Sequence, residues 1–246
     1  MEDLIREARV SRTSSYRRWP TNDRFAADLL LAIAERTQLT DDLSGYVAAA
    51  RTLPVNLFSG LDTEQGRRDL VVELMRVVTV ADFTMALASA PWRSYLVLRA
   101  AHGGLPDGKL RTRIADALRA TERGFQARRA DVLRHGAGLM GYRLRDPGTI
   151  DWATLAVLTS ASFTGLLVQA LSDPDAVLAE QPRAAFGSSR TAPWSAATLA
   201  STNLFFGATE PDPDVSWDAP RIAATIAALQ HIAETLADVW TPSASV

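Results

Sequence analysis

Apolar residues recur every three or four positions along most of the chain, and this spacing predicts helices. Two short helices come first. Residues 1–8 carry their apolar side chains on one side, at Leu4, Ile5 and Ala8. A second helix begins after Ser11, whose hydroxyl can cap it, and ends at Trp19, because Pro20 disfavours helical backbone in the residue before it. Two short helices joined by a turn of three or four residues form a helix-turn-helix layout.

The same periodicity predicts longer helices in the rest of the chain. They cover residues 22–37, 41–53, 63–90, 92–101, 107–135, 152–172, 193–206 and 220–240. The segment 173–218 holds five prolines and an acidic tract, so outside the 193–206 helix we expect it to be loop. No segment favours a strand over a helix. The predicted fold class is all-α, with a short helix pair followed by a larger helical body.

The side chains of the second helix are those that bind DNA. Residues 9–18 include four arginines, four Ser or Thr hydroxyls and one tyrosine, and no acid. These side chains donate to phosphate oxygens, and arginine also reads guanine edges in the major groove. The alternative is a solvated, arginine-rich surface turn, since basic segments are common and readily hydrated.

A family resemblance favours the DNA-binding interpretation. The run ARVSRTSSYRRWPTNDRF, residues 8–25, is similar to the helix-turn-helix signature of the TetR family of transcriptional regulators. In that family a turn and Val-Ser lead into a helix that ends in Tyr, a basic pair, an aromatic residue and Pro. The resemblance covers about the first 35 residues. It implies a DNA-binding domain in residues 1–36 and a helical ligand-binding and dimerisation domain in residues 37–246.

The second helix would supply the DNA contacts. We expect Arg12, Thr13, Ser14 and Arg17 to reach base edges or neighbouring phosphates. Tyr16 and Arg18 would mainly hold the phosphate backbone. The resemblance implies a ligand-responsive regulator, a repressor, whose small-molecule effector releases it from the operator.

The chain departs from the family pattern at three points. Arg9 stands in the turn where family members usually carry Gly, and Asn22 stands near the Pro where Lys is usual. A left-handed backbone at Arg9 would cost about 1 kcal/mol. Family members also carry an amphipathic helix before the pair, whereas this chain begins at the pair itself.

An incomplete head would leave apolar side chains of the first and third helices without a partner. We therefore expect residues 1–20 to be mobile or held by a non-native contact, and DNA binding to be weak. The alternative function is a helical, small-molecule-binding dimer that does not bind DNA, because its reading head is truncated.

Charge and cysteine content narrow the class of protein. The formal net charge is -2, yet the first 24 residues hold six arginines against four acids, and the remainder holds 20 basic and 24 acidic residues. This asymmetry favours a local contact with a polyanion over a generally basic protein. The absence of cysteine excludes disulfides and thiolate chemistry and fits a cytoplasmic protein. Acids at positions 2 and 3 and no apolar run argue against a secretory signal.

Residues 152–172 contain no charged side chain, and at 21 residues they reach the length of a membrane span. Six Ser or Thr residues and Gln169 lie among them, so a helix buried both by its own body and by a partner subunit explains the composition better. We expect a homodimer through the helices near 149–172 and 220–240, bound to a near-palindromic double-stranded DNA operator. The small residues that would permit close helix approach are Ala153, Ala156, Ser160 and Gly165.

Aromatic and methionine side chains of the body could line an apolar effector cavity of the kind that the family holds. The candidates are Met75, Phe83, Trp92, Tyr95, Phe125 and Phe163. Core packing is the alternative for each of them.

Catalytic and metal constellations are weak. His231 with Glu234 is the nearest approach to a metal pair, and a polar surface pair explains it better. The sequence has no GxGxxG, P-loop or GxSxG motif. We therefore expect no enzyme activity, no cofactor and no metal site. Residues 103–147 hold ten basic and five acidic residues, which a solvated helix face explains better than a second nucleic-acid surface.

Overall fold

The computed structural model describes residues 2–37, 39, 48 and 52–231, and in them the protein is mostly helical. The helices are α1 Glu2–Glu7, α2 Arg12–Arg18, α3 Asn22–Arg36, α4 Glu64–Ala88, α5 Ala90–Gly104, α6 Lys109–Leu139, α7 Trp152–Ala170, α8 Pro174–Leu178, α9 Ala196–Ala208 and α10 Ala219–Gln230. A 3-10 helix, Val55–Gly60, precedes α4. The strands are β1 Tyr142–Leu144, β2 Gln181–Ala184, β3 Thr191–Trp194 and β4 Thr209–Pro211.

Helix starts agree with the sequence because polar side chains cap them. The Thr63 hydroxyl accepts from the Gly66 N–H at 3.0 Å, and the Asp151 carboxylate accepts from the Thr154 N–H at 2.7 Å. Helices α4 and α7 begin at these caps. The helix predicted over 41–53 and the end of the one predicted over 220–240 lie largely outside the described residues.

The expectation of no strands was wrong. Strand β1 pairs with β4, and β2 pairs with β3, each as an antiparallel two-stranded ribbon. Every strand of a two-stranded ribbon is an edge strand, so the prolines Pro182, Pro193 and Pro211 are tolerated in them. Strands of three or four residues interrupted by proline show no alternation that a pattern search could detect.

The chain divides into two compact units. The first unit comprises residues 1–39 and 90–123, and the second comprises 40–89 and 124–246. The first unit thus contains α1 to α3 together with α5 and the first half of α6. The predicted domains, 1–36 and 37–246, are each contiguous in sequence. The first compact unit differs from the first predicted domain because it also contains residues 90–123.

In the first unit, α3 packs against α5. Its buried apolar residues are Ile5, Leu31, Ala34, Leu39, Trp92, Tyr95, Leu98, Ile114 and Leu118. Ile5 is therefore covered, whereas Leu29 remains 44% exposed. The Thr121 hydroxyl donates to the Thr37 carbonyl at 2.9 Å, which ties the end of α3 to α6 within this unit.

In the second unit, α4 packs against α9, and α9 packs against α7. A buried carboxylate, Asp69, joins the first turns of α4 to the loop between β2 and β3. It accepts from the Ser189 N–H at 2.8 Å, from the hydroxyls of Ser188 and Ser189 at 2.9 and 2.6 Å, and from the Gln65 amide at 2.9 Å. Burial acts to raise the pKa of Asp69, but these hydrogen bonds outweigh it and lower the pKa below its ordinary value.

Helix α7 is the one helix in the described part of the chain that is long and apolar enough, by length and composition, to cross a membrane. One side of it is buried within the second unit, at Leu155, Ala156, Thr159, Ser160, Phe163, Leu167 and Ala170. The Thr159 hydroxyl donates to the backbone carbonyls of Leu155 and Ala156, so it is satisfied without water. The helix is thus part of the core of its own unit.

The backbones of the 3-10 helix and α4 approach each other closely at Gly60 and Gly66, and the substitution Gly66→Ala tests this contact. A Cβ atom at Gly66 would lie 1.9 Å from the Gly60 carbonyl oxygen, so Gly66→Ala must displace backbone. We expect it to lower the free energy of unfolding by about 1–3 kcal/mol. The control is Gly136→Ala in α6, where nothing lies within 4 Å of the added Cβ, and where we expect a gain of up to about 1 kcal/mol. Urea unfolding measures both, and equal midpoints would contradict this packing.

Arg9 tests the turn between α1 and α2. Its φ is +52°, the left-handed conformation that the sequence led us to expect, and there a side chain costs about 1 kcal/mol. Arg9→Gly should relieve this cost, whereas Arg9→Ala removes the same charge and keeps the strain. We expect the amide hydrogens of α2 to exchange about fivefold more slowly in Arg9→Gly than in Arg9→Ala, since 1.4 kcal/mol is tenfold. Equal exchange in the two variants would show that the turn is unstrained.

Candidate nucleic-acid interface

The helix pair α1 and α2 is joined by a tight turn that the backbone itself closes. The N–H groups of Arg9 and Val10 donate to the carbonyls of Arg6 and Ile5, each at 3.2 Å. Ser11 then caps α2, as predicted, by accepting from the Ser14 N–H at 3.5 Å. The sequence therefore produces a helix, a turn and a second helix within residues 2–18.

Helix α2 presents the predicted DNA-contacting residues to solvent. All six are exposed: Arg12, Thr13, Ser14, Tyr16, Arg17 and Arg18. Ser15 is the buried residue of α2, and its hydroxyl donates to the Ser11 carbonyl at 2.9 Å. Seven residues of helix span about 10 Å, which fits a major groove about 12 Å wide. The structure thus brings the six side chains together on one short exposed helix.

Two of these residues are bound by an acid on α1. The Glu2 carboxylate lies 2.5 Å from Arg12 Nη2 and accepts from the Tyr16 hydroxyl at 2.6 Å. The hydrogen bond to Glu2 raises the pKa of Tyr16, and a phenol is a neutral donor at physiological pH with or without this bond. The sequence analysis did not predict this pairing of Glu2 with α2. Exposed ion pairs contribute little to stability, so phosphate oxygens can replace this carboxylate.

A cluster at the end of α2 fixes Arg18 and the start of α3. The indole N–H of Trp19 donates to the Asp28 carboxylate at 3.1 Å, and the Trp19 and Phe25 rings meet edge to face at 5.2 Å. The Arg18 guanidinium lies 5.2 Å from the centre of the Trp19 ring. Arg18 is therefore positioned by a ring that α3 holds.

In the described part of the chain, Arg17 is held neither by a carboxylate, as Arg12 is, nor by an aromatic ring, as Arg18 is. Among the described residues no carboxylate lies within 4 Å of its guanidinium. By contrast, most of the predicted basic stretch along α6 is paired, through Arg111–Asp107, Arg113–Glu35, Arg119–Asp116, Arg129–Asp82 and Arg134–Asp131. Four of these pairs are exposed, as is typical of a solvated helix face, and Arg129–Asp82 is buried.

The structure divides the six predicted effector-binding residues between the two units. Trp92 and Tyr95 lie in the first unit, edge to face at 5.6 Å, and the Tyr95 hydroxyl donates to Glu122 at 2.7 Å. Burial and this bond to Glu122 raise the pKa of Tyr95. Met75, Phe83, Phe125 and Phe163 lie in the second unit.

Two aromatic rings of the second unit flank a buried ion pair, and a third ring packs against one of them. Arg129 and Asp82 are 2.9 Å apart, with side chains only 16% and 11% exposed. The Arg129 guanidinium lies 5.4 Å from the centre of the Phe125 ring and 5.2 Å from that of Phe163, and the Phe163 and Phe83 rings are 4.5 Å apart. The sequence did not predict that this aromatic cluster lies against a charged group. The three phenylalanine side chains are only 2–4% exposed, as is usual for core residues.

No group of three or more metal-binding side chains occurs within the part of the chain that the structure describes. His231 ends this part, and its Nδ1 lies 2.9 Å from the Ala227 carbonyl oxygen. Glu234, its predicted neighbour, lies outside the described residues.

No protein-family model, curated protein or solved structure matches the chain.

Proposed function

We propose that the protein is a DNA-binding transcriptional regulator that resembles the TetR family, works in the cytoplasm as a homodimer, and represses until a small molecule binds it. The observation that supports this proposal is the exposed helix α2. It combines four hydroxyl or phenol groups with three arginines in seven residues, and it carries the Ser-to-Arg part of the run that resembles the family signature, although Arg9 in the turn before it departs from that signature. DNA needs both phosphate anchors and base readers, and α2 carries side chains of both kinds.

The roles follow from how each side chain is held. Arg18, placed by the Trp19 ring, and Tyr16, a neutral donor, suit fixed phosphate contacts. Arg17 suits bidentate contact with a guanine edge, because its guanidinium has no acid partner among the described residues. Arg12 would exchange Glu2 for DNA on binding.

The dimer proposal rests on the exposed side of α7. Its large apolar residues are Val157, Leu158 and Val168, which are 44%, 42% and 52% exposed. Ala153, Ala161 and Gly165 lie exposed among them, and no residue of the helix is charged. On α10, the exposed residues Ala223, Ala224 and Ala227 are also small and apolar. Two helices with such faces can approach a partner copy closely.

Three positions on the helices predicted to form the dimer are part of the chain's own core. Ala156 is fully buried and Leu229 is 4% exposed, and Ser160 is buried as well. Arginine at Ala156 or Leu229 would unfold the second unit rather than separate subunits, because it would bury an unpartnered charge.

The alternative is a helical, small-molecule-binding dimer that does not bind DNA. The pairing of Glu2 with both Arg12 and Tyr16 favours it, because this carboxylate occupies two of the side chains that DNA would need. Acids at Glu2, Asp3 and Glu7 also bring negative charge to α1.

Arg17→Ala separates the two functions. Duplexes enriched from a random DNA pool by the native protein would be titrated by fluorescence anisotropy. We expect Arg17→Ala to weaken binding by about 1–3 kcal/mol and to relax preference at one base position. The control is Arg183→Ala, an exposed arginine of β2 in the second unit, which should bind as the native protein does. A uniform loss over all sequences would make Arg17 a phosphate anchor, and no enrichment by the native protein would support the alternative.

Val157→Arg tests assembly. An arginine on the exposed side of α7 should leave the fold intact and convert a dimer to a monomer, because it places charge in an apolar interface. Light scattering at micromolar concentration measures the mass, and Ala127→Arg, at an exposed position of α6, is the control. A dimeric Val157→Arg or a monomeric native protein would refute this surface. A dimer of this kind would place its two α2 helices about 34–36 Å apart, or farther by whole helical turns.

A further inference from the structure

A cavity of about 710 Å³ opens in the second unit. Its walls are the first turns of α4, the turn between α6 and β1, the β2–β3 loop, and the segment 211–217 after β4. None of the six residues predicted to bind an effector lines it. Its volume lies within the range of small-molecule sites, which is about 300–1,000 Å³.

Two adjacent arginines line the cavity, and neutral acceptors hold both. Arg67 Nη1 donates to the Leu61 carbonyl at 3.1 Å. Arg68 donates through Nε to the Phe186 carbonyl at 2.6 Å and through Nη1 to the Tyr142 hydroxyl at 3.0 Å. Within the described residues, no carboxylate lies within 4 Å of either guanidinium. Both positive charges are thus held in place without being neutralised.

Arg68 is also shielded from water on one face. Its guanidinium carbon lies 3.8 Å from the centre of the Phe206 ring, and the side chain is partly buried. A cation in this setting loses hydration and gains from an anion more than an exposed one would.

The acids at the cavity do not balance these charges. Asp212 lies 3.7 Å from Arg143 Nη1, and Arg143 also reaches Glu210 at 3.1 Å. Glu64 is exposed at the first residue of α4. Asp212 is therefore shared with another arginine, and Glu64 stands at the rim. Asp69, next to Arg68 in the chain, does not line the cavity, and its carboxylate accepts from Gln65, Ser188 and Ser189 instead of from either arginine.

A flat apolar wall faces the same space. Gly141, with φ +68°, lies so close to Trp217 that a Cβ there would be 2.8 Å from Cζ2 of the indole. The Arg67 and Arg221 guanidinium carbons lie 5.2 and 5.6 Å from the centre of the Trp217 ring. The indole is therefore fixed against the backbone. Met140, Pro211, Pro213 and Val215 complete the apolar lining.

We propose that this cavity binds a small organic anion, a molecule with a carboxylate, sulfonate or phosphate group and an apolar body that contains a ring. The anionic oxygens would accept from Arg67 and from the remaining N–H groups of Arg68, since a guanidinium offers five donors in a fixed fork. The ring would pack on Trp217 and the apolar lining. In the proposed regulator this molecule would be the effector, but the binding site does not depend on DNA binding.

The probes are 8-anilinonaphthalene-1-sulfonate and N-phenyl-1-naphthylamine, which share their rings and differ in the sulfonate. Fluorescence titrations would compare the native protein with Arg67→Gln. We expect the sulfonate probe to bind Arg67→Gln at least tenfold more weakly and the neutral probe to bind both proteins equally. The control is Arg183→Gln, which removes one positive charge at an exposed site of the same unit.

Arg67→Gln also removes the hydrogen bond from Arg67 to the Leu61 carbonyl, so a second variant leaves both arginines in place. Val215→Trp keeps both arginines and fills the cavity from its apolar side, so it should weaken both probes at least tenfold. Thermal unfolding of each variant verifies the fold. Unchanged sulfonate binding in Arg67→Gln, or in a folded Val215→Trp, would refute the site, as would no sulfonate binding by the native protein. The DNA proposal can fail while this one holds. In that case the native protein would bind the sulfonate probe but would enrich no DNA.

Discussion

The second unit depends on one buried carboxylate. Asp69 joins the start of α4 to the β2–β3 loop through three hydrogen bonds, donated by the Ser189 N–H and by the hydroxyls of Ser188 and Ser189, and Gln65 of α4 donates a fourth. The same loop then receives Arg68 at its Phe186 carbonyl and Gln65 at its Gly187 carbonyl. Because the pKa of Asp69 is lowered in the folded state, its contribution to stability is present above the unfolded pKa and is lost as pH falls through the folded pKa. Ionised Asp69 therefore stabilises the loop that forms one wall of the cavity, together with the bonds from Arg68 and Gln65.

The first unit holds α2 by weaker means. Helix α2 buries a single residue, Ser15, and its other contacts are the cap from Ser11, the exposed pair with Glu2 and the ring of Trp19. A seven-residue helix cannot persist on propensity alone. Its order therefore depends on these few contacts, and the left-handed Arg9 subtracts from them. The expectation that residues 1–20 are mobile and bind DNA weakly stays a prediction.

The sequence predicted what local chemistry determines. The cap predicted at Ser11 marks the start of α2 correctly, because its hydroxyl accepts from an N–H only three residues away. The predicted starts of α4 and α7 lie within one residue of the observed ones, where Thr63 and Asp151 are the caps. The sequence predicted the burial of α7 only in part. The absence of charged side chains indicates a helix that can be covered on both sides, but it does not indicate which small residues face the core. Ala156 and Ser160 proved to be core residues, whereas Ala153 and Gly165 are exposed.

The cavity could not be predicted, because it forms from segments far apart in the chain. Arg67 and Arg68 lie in the first turns of α4, and from the sequence alone a basic pair at such a place predicts a solvated helix face. Only the fold brings Phe186, Tyr142 and Trp217 to them and leaves their charge without a carboxylate among the described residues. A carboxylate in the place of the Phe186 carbonyl or the Tyr142 phenol would stabilise the Arg68 cation more than these neutral acceptors do. Sequences break local rules of this kind at functional sites, where a ligand supplies the missing partner. The two guanidinium groups are therefore a stronger sign of a binding site than the volume of the cavity that they line.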